Sequence, residues 1–171
     1  MTHHADYSNF NTSVSREESL ETLLLSYNSL AESQTNWVAN LANCSSLLYH
    51  CYKDNGVNWA GFYLVDPENS NQLILGPFMG KVACQTIQIG KGVCGNAAKL
   101  LITQLVPNVE NYPGHIACDG DTKSEIVLPI IQNDKLIGVL DLDCINLNGF
   151  TNVDKFYLEK LCNDISKTCK F

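Results

Sequence analysis

Apolar residues recur at helical spacing in two early stretches of the chain. Leu20, Leu23, Leu24, Tyr27 and Leu30 follow Ser15-Arg16-Glu17-Glu18, which has the form of a capping box. Val38, Leu41, Ala42, Ser45, Leu48, Tyr49 and Tyr52 form a second stripe, which Asn55-Gly56 breaks. From Asn58 onward the period changes. Residues 59–65 are aromatic and β-branched enough for a strand, 66–71 read as a turn, and 72–78 make a second strand that Gly76-Pro77 kinks or ends. Alternation through Val82, Cys84, Thr86 and Gln88 predicts a third strand over 82–89. A tight glycine turn at 90–95 precedes a short helix over 96–102 and a short strand over 104–106. The 17 residues of 108–124 form a polar loop, longer than an ordinary connection. Strands over 125–131 and 136–142 meet at Asn133-Asp134. Thr151-x-x-Asp154 then caps a last helix, with Val153, Phe156, Tyr157, Leu161 and Ile165 on one face. Short turns between neighbouring strands predict a largely antiparallel central sheet of about six strands. Helices gathered before and after it predict one covered face, an α+β fold. Residues 1–14 read as a flexible polar segment, and residues 15–171 as one domain.

Composition narrows the partners. The 171 residues are 45% apolar, and 11 Lys and Arg against 18 Asp and Glu leave a net charge of −7. That balance argues against nucleic-acid binding, which needs a basic face. No apolar run approaches the roughly 20 residues of a spanning helix, so no membrane segment is expected. The polar start lacks a secretory leader, so the expected address is cytoplasmic, with the nucleus open in a eukaryotic cell.

Eight cysteines stand in this chain: Cys44, Cys51, Cys84, Cys94, Cys118, Cys144, Cys162 and Cys169. In a reducing compartment they are buried thiols, metal ligands or redox groups. No C-x-x-C pair occurs and the four histidines form no zinc-ligand spacing, so no metal is expected. Cys84 falls on the expected third strand, Cys94 in the glycine turn at a helix start, and Cys118 in the long loop. A helix N-terminus or a run of backbone N–H groups lowers a thiol pKa, and Cys94 and Cys118 are both placed to receive that help. Cysteine also serves as a small apolar side chain that fills cores. His115, three residues before Cys118, either helps ionise that thiol or bonds to nearby backbone. Asp141 and Asp143 alternate on one strand face, and Glu125 begins the preceding strand, within reach across the hairpin. Crowded carboxyls raise one another's pKa and yield a proton donor near neutrality, whereas solvated strand-end acids do not. Trp59 and Tyr63 share a strand face, as core or as the wall of an apolar pocket. Gly90-x-Gly92-x-x-Gly95 fits a dinucleotide fingerprint, but its helix is short and no ribose-binding acid follows about 20 residues on.

Six segments together resemble one family: NWAGFYL at 58–64, LGPF at 75–78, GKGVCG at 90–95, GHIACD at 114–119, SEIVLP at 124–129 and GVLDLD at 138–143. They are similar to the free methionine-(R)-sulfoxide reductases, stand-alone GAF-domain enzymes, over some three quarters of the chain from about Leu41. The resemblance implies a GAF-like domain that reduces the R epimer of free methionine sulfoxide. It implies Cys118 as the nucleophile that becomes a sulfenic acid, Cys84 as the resolving thiol and Cys94 as an auxiliary thiol. Glu125, Asp141 and Asp143 would hold the substrate amine and protonate the departing oxygen. Trp59 would pack on the terminal methyl with Tyr63 nearby, and backbone N–H groups around Ile116, Ala117 and Cys118 would receive the carboxylate. No bound cofactor is implied. Thioredoxin would restore the thiols, drawing on NADPH through its reductase, in a homodimer serving the oxidative stress response. The chain departs from the family at Cys144, where Ser is usual, and in a longer turn at 66–71. The competing reading is a non-catalytic GAF sensor of a small ligand, which leaves Cys84, Cys94 and Cys118 without a purpose.

Overall fold

The computed structural model describes residues 14–115 and 119–171. The expected loose segment, apart from Val14, lies outside them. Helix α1 (Arg16–Ala31) starts on the capping box: Glu18 N donates to Ser15 Oγ at 3.2 Å, and Ser15 N donates to Glu18 Oε2 at 2.8 Å. Helix α2 (Trp37–Tyr52) is capped by Asn36 and closes through a 3-10 turn onto Gly56, whose φ of 89° suits glycine. The strands are β1 (Val57–Val65), β2 (Gln72–Gly80), β3 (Thr86–Gln88), β4 (Gln104–Val106), β5 (Ser124–Gln132) and β6 (Lys135–Cys144). They form one sheet in the order β3-β2-β1-β6-β5-β4, with every neighbouring pair antiparallel. Asn133 and Asp134 both take positive φ, the conformation a two-residue hairpin of matching twist needs, and they join β5 to β6.

Alternation divides the sheet into two faces. Ala60, Phe62, Leu64, Ile126, Leu128, Ile130, Leu140 and Leu142 face α2 and the last helix, α4 (Asn152–Thr168), with α1 packed over both. Asp154 caps α4 through Thr151 and also accepts hydrogen bonds from Arg16 Nε (2.7 Å) and Tyr52 Oη (2.8 Å), so one buried carboxylate ties three helices together. Trp59, Tyr63, Val127 and Val139 lie on the opposite face. There a second, smaller core forms with α3 (Gly92–Leu100). The GAF-like α+β expectation holds, with α3 on the far face.

Four local expectations need correction. The third strand is only Thr86–Gln88, because β2 offers it partners only over Gln72–Ile74. Residues 82–85 therefore run as loop, Cys84 included. Helix α3 begins at Gly92, inside the expected glycine turn, because Gly95 N donates to Lys91 O at 3.0 Å. β2 does not end at Gly76-Pro77 but continues to Gly80, and the expected kink remains as a register irregularity against Gly61–Tyr63 on β1. On α4 the buried face is Tyr157, Leu158, Leu161, Cys162 and Ile165, whereas Val153 and Phe156 are exposed.

Candidate active site

Strand register sets the site. Trp59 on β1 pairs with Asp143 on β6, and Asp143 pairs with Glu125 on β5, so the three stand in one row across the sheet. Asp141 occupies the next row between Gly61 and Val127 on the same face. A Cβ at Gly61 would stand 2.3 Å from Phe78 Cβ and 2.8 Å from Trp59 Cη2. The absent side chain is what lets the Trp59 indole lie against the strand, stacked between Tyr63 (5.8 Å between centroids) and Phe78 (5.3 Å). Trp59, Tyr63, Glu125, Asp141 and Asp143 line a cavity closed above by Lys91, Val93 and Cys94 at the start of α3, and by His115, Asp119 and Thr122 from the long loop.

Three carboxyls in this space leave a heavy electrostatic load. Burial first, then the neighbouring Asp141 and Asp143, push Glu125 well above the usual carboxylate range. Asp141 is raised to about 7, chiefly by burial, and Asp143 is raised well above its ordinary value by burial and then by Asp141. Cys94 departs from the expectation that a helix start would lower its pKa. Its Sγ lies 4.0 Å from Glu125 Oε1, and burial together with the Asp141 and Glu125 charges raises it well above a normal thiol. A helix dipole is worth at most about 2 kcal/mol, less than full desolvation of a thiolate beside carboxylates. Cys94 therefore rests as a protonated thiol.

The loop reaches the cavity through pinned residues. His115 N donates to Tyr112 O at 3.1 Å, and its Nε2 stands 3.7 Å from Glu125 Oε2. Asn58 Nδ2 donates to Asp119 Oδ2 at 3.0 Å, and Lys81 Nζ lies 3.7 Å from the same oxygen and 2.6 Å from Asp121 Oδ2. Ile116, Ala117 and Cys118, between these two anchors, lie outside the described residues. Cys84 is disulfide-bonded, and Tyr63 Oη donates to its carbonyl at 3.0 Å. The other six described cysteines are free.

Three polar side-chain atoms of the cavity lining are buried without a partner among the described residues: the donor Trp59 Nε1, the Thr122 hydroxyl Oγ1 and the acceptor Asp141 Oδ1. Such atoms cost free energy until something pairs with them, which marks a cavity shaped for a polar guest. Cys94 Sγ and a carboxylate oxygen each from Glu125 and Asp141 lie within 4.8 Å of one another. These donor types also bind cations, but the pKa of each of the three groups is raised towards its protonated form, and among the described residues no imidazole joins all three within that distance. Their chemistry reads as shared protons.

The remaining cysteines stand apart. Cys144 follows Asp143 on β6 and so points to the helix-covered face, where Asn146 N donates to its Sγ at 3.4 Å. Cys44, Cys162 and Cys169 belong to the same helix-side core, and Cys51 packs at its margin. Sequence reasoning missed the contributions of Asn58, Lys81, Lys91 and Thr122. Asp119 stood in a quoted segment without a role. Their distance along the chain hides the clamp, although the polar Asn58 before an apolar strand was a usable signal.

Comparison with known proteins fits this geometry. Residues 53–168 match the family model described as GAF domain. The free methionine-R-sulfoxide reductase of Saccharomyces cerevisiae is 59% identical, over 99% of this chain and 96% of its own. The Escherichia coli protein of that name is 43% identical over 82% of each chain. Among solved structures, one described as the structure of the GAF domain superposes with a TM-score of 0.95 at 58% identity, over 99% of this chain and 98% of that one. Free methionine-R-sulfoxide reductase from Neisseria meningitidis in complex with its substrate superposes with a TM-score of 0.89 at 36% identity, over 98% of this chain and 95% of that one. The chain belongs to the GAF-domain free methionine-R-sulfoxide reductases, a family of oxidoreductases.

Proposed function

We propose that this protein reduces the R epimer of free methionine sulfoxide with two of its own thiols, which a thioredoxin-type dithiol then restores. The observation that carries the reading is the row Trp59, Asp143 and Glu125 with Asp141 beside it in one cavity, aromatic at one end and acidic at the other. An amino-acid zwitterion with a methylated sulfoxide has matching ends. Its ammonium donates to the unpaired Asp141 Oδ1 and to Asp143, and its methyl lies against Trp59 with Tyr63 behind. Backbone N–H groups of residues 116–118 receive the carboxylate.

A sulfoxide oxygen leaves only when protonated, and a carboxyl raised towards neutrality is the group able to do this. In the first step the Cys118 thiolate attacks the sulfoxide sulfur while Glu125 protonates the oxygen. The sulfoxide sulfur gains two electrons and departs as methionine. Cys118 loses two electrons and retains the oxygen as a sulfenic acid. In the second step the Cys84 sulfur displaces that oxygen, which leaves as water carrying the sulfenic and thiol hydrogens, and a disulfide remains. That Cys84 is oxidised in this structure supports its place as the resolving thiol. Exchange with an external dithiol reverses the disulfide, with Cys94 as an auxiliary thiol. No bound cofactor takes part. A homodimer and a cytoplasmic address belong to the same reading.

The test is turnover of each epimer of free methionine sulfoxide, followed as NADPH oxidation through thioredoxin and thioredoxin reductase. The R epimer is expected to turn over and the S epimer to be inert. Turnover of S alone, or of neither, overturns the proposal.

A further inference from the structure

We infer that His115 is the relay that carries a proton from solvent to Glu125 between turnovers, an inference that rests on the reductase reading above. When Glu125 protonates the sulfoxide oxygen it is left as a carboxylate, while the proton that ionised Cys118 has gone to solvent. The carboxyl must be recharged before the next substrate. Glu125 is only 6% exposed, and its close neighbours Cys94, Asp141 and Asp143 are acids of the same cavity that compete for that proton.

His115 is the group that links this carboxyl to the outside. Its Nε2 faces Glu125 Oε2 at 3.7 Å, while 17% of its side chain remains exposed. The separation exceeds a hydrogen bond, so a small rotation of the ring or one bridging water closes it. The backbone bond from His115 N to Tyr112 O holds the residue at the cavity rim. Neutral imidazole accepts a proton at one nitrogen and releases one from the other, which suits a relay. Burial lowers the His115 pKa and keeps the ring largely neutral. The titratable and charged groups around the same cavity are Tyr63 on β1, Glu125 on β5, Asp141 and Asp143 on β6, Lys91 and Cys94 at the start of α3, and Asp119 in the loop. Of these only Asp143, opposite Glu125 on the β5–β6 ladder, joins an approach to the carboxyl with partial exposure, and its own raised proton affinity makes it a competitor for the proton rather than a carrier of it. His115 is a positioning and relay residue, since it acts through Glu125.

The relay separates the first turnover from later ones. A first methionine draws on the proton already stored at Glu125. Each later methionine needs a new proton. His115→Gln and His115→Ala proteins, reduced and freed of reductant, are mixed with the R epimer to measure the burst, and then supplied with saturating dithiothreitol for steady turnover. The expected result is a burst of normal rate and substrate affinity, with steady turnover about tenfold slower, the deficit growing as pH rises from 6 to 8.5. Added imidazole restores turnover in His115→Ala. Wild-type steady rates and pH profile in both variants overturn the relay. So does a slowed burst with weakened affinity that imidazole leaves unchanged, which marks a loop-holding role. A wild-type protein that releases no methionine overturns the reductase reading itself.

Discussion

Glu125 and Asp143 face each other directly across the β5–β6 ladder, with Trp59 next in the row on β1. Like charges opposite one another destabilise a sheet. Burial raises the proton affinity of both carboxyls well above the ordinary range, which lowers that cost, and the shift has consequences for pH.

Asp141, raised from a usual value near 3.8 to about 7, binds its proton more tightly folded than unfolded. Between about pH 4 and 7 the unfolded chain releases this proton and the folded chain keeps it. Stability therefore falls as pH rises through that window, and the loss is complete above it. Asp141→Asn is expected to be the more stable protein at pH 8 by at least about 1 kcal/mol, roughly 2–4 °C in Tm. The advantage should shrink towards pH 4. Thermal melts at both pH values check this, and an advantage larger at pH 4 than at pH 8 contradicts it.

Tyr63 reaches past the cavity to the Cys84 carbonyl. Tyr63→Phe removes one hydrogen bond, worth about 1 kcal/mol, from the loop that carries the resolving thiol. Disulfide formation after methionine release is expected to slow about fivefold, with the release itself unchanged. Rapid-quench thiol counting against methionine release separates the two steps.

Cys144 departs from the family pattern, but its sulfur lies on the helix side of the sheet, away from the cavity. Cys144→Ser is expected to keep activity within twofold and to show no altered disulfide by peptide mapping. An off-path disulfide through position 144 in the oxidised wild type would contradict this placement.

Asp154 joins α1, α2 and α4 far from the cavity, through Arg16, Tyr52 and its own cap. Asp154→Ala removes the Arg16 ion pair, the Tyr52 hydrogen bond and the α4 cap together and is expected to cost about 3 kcal/mol in denaturant unfolding. Activity per folded molecule should remain. Loss of activity without loss of stability would place Asp154 in the chemistry instead.

Local signals carried much of the fold. The Ser15 and Thr151 capping boxes, the aromatic strand β1 and the Asn133-Asp134 hairpin each depend on neighbours a few residues away, and each formed as read. Period two placed Asp141 and Asp143 on one face and Glu125 across the hairpin. The overlong third strand shows the limit: alternation at Val82–Gln85 was real, but a strand exists only where a partner's backbone stands opposite. Cys94 shows it again. Its helix start was legible, whereas the acids that fold over it come from 31 to 49 positions further along the chain and reverse the expected shift. The Asn58 and Lys81 clamp on Asp119 is likewise a product of tertiary folding alone.

The central claim is one oxidisable pair of thiols serving one acid-lined cavity. Its most direct measurement is methionine released, and thiols lost, when fully reduced protein meets the R epimer with no reductant present. The expected result is one methionine and two thiols per chain, none with the S epimer, and none from Cys118→Ser. Undiminished release from Cys118→Ser, or release without thiol loss, would contradict it.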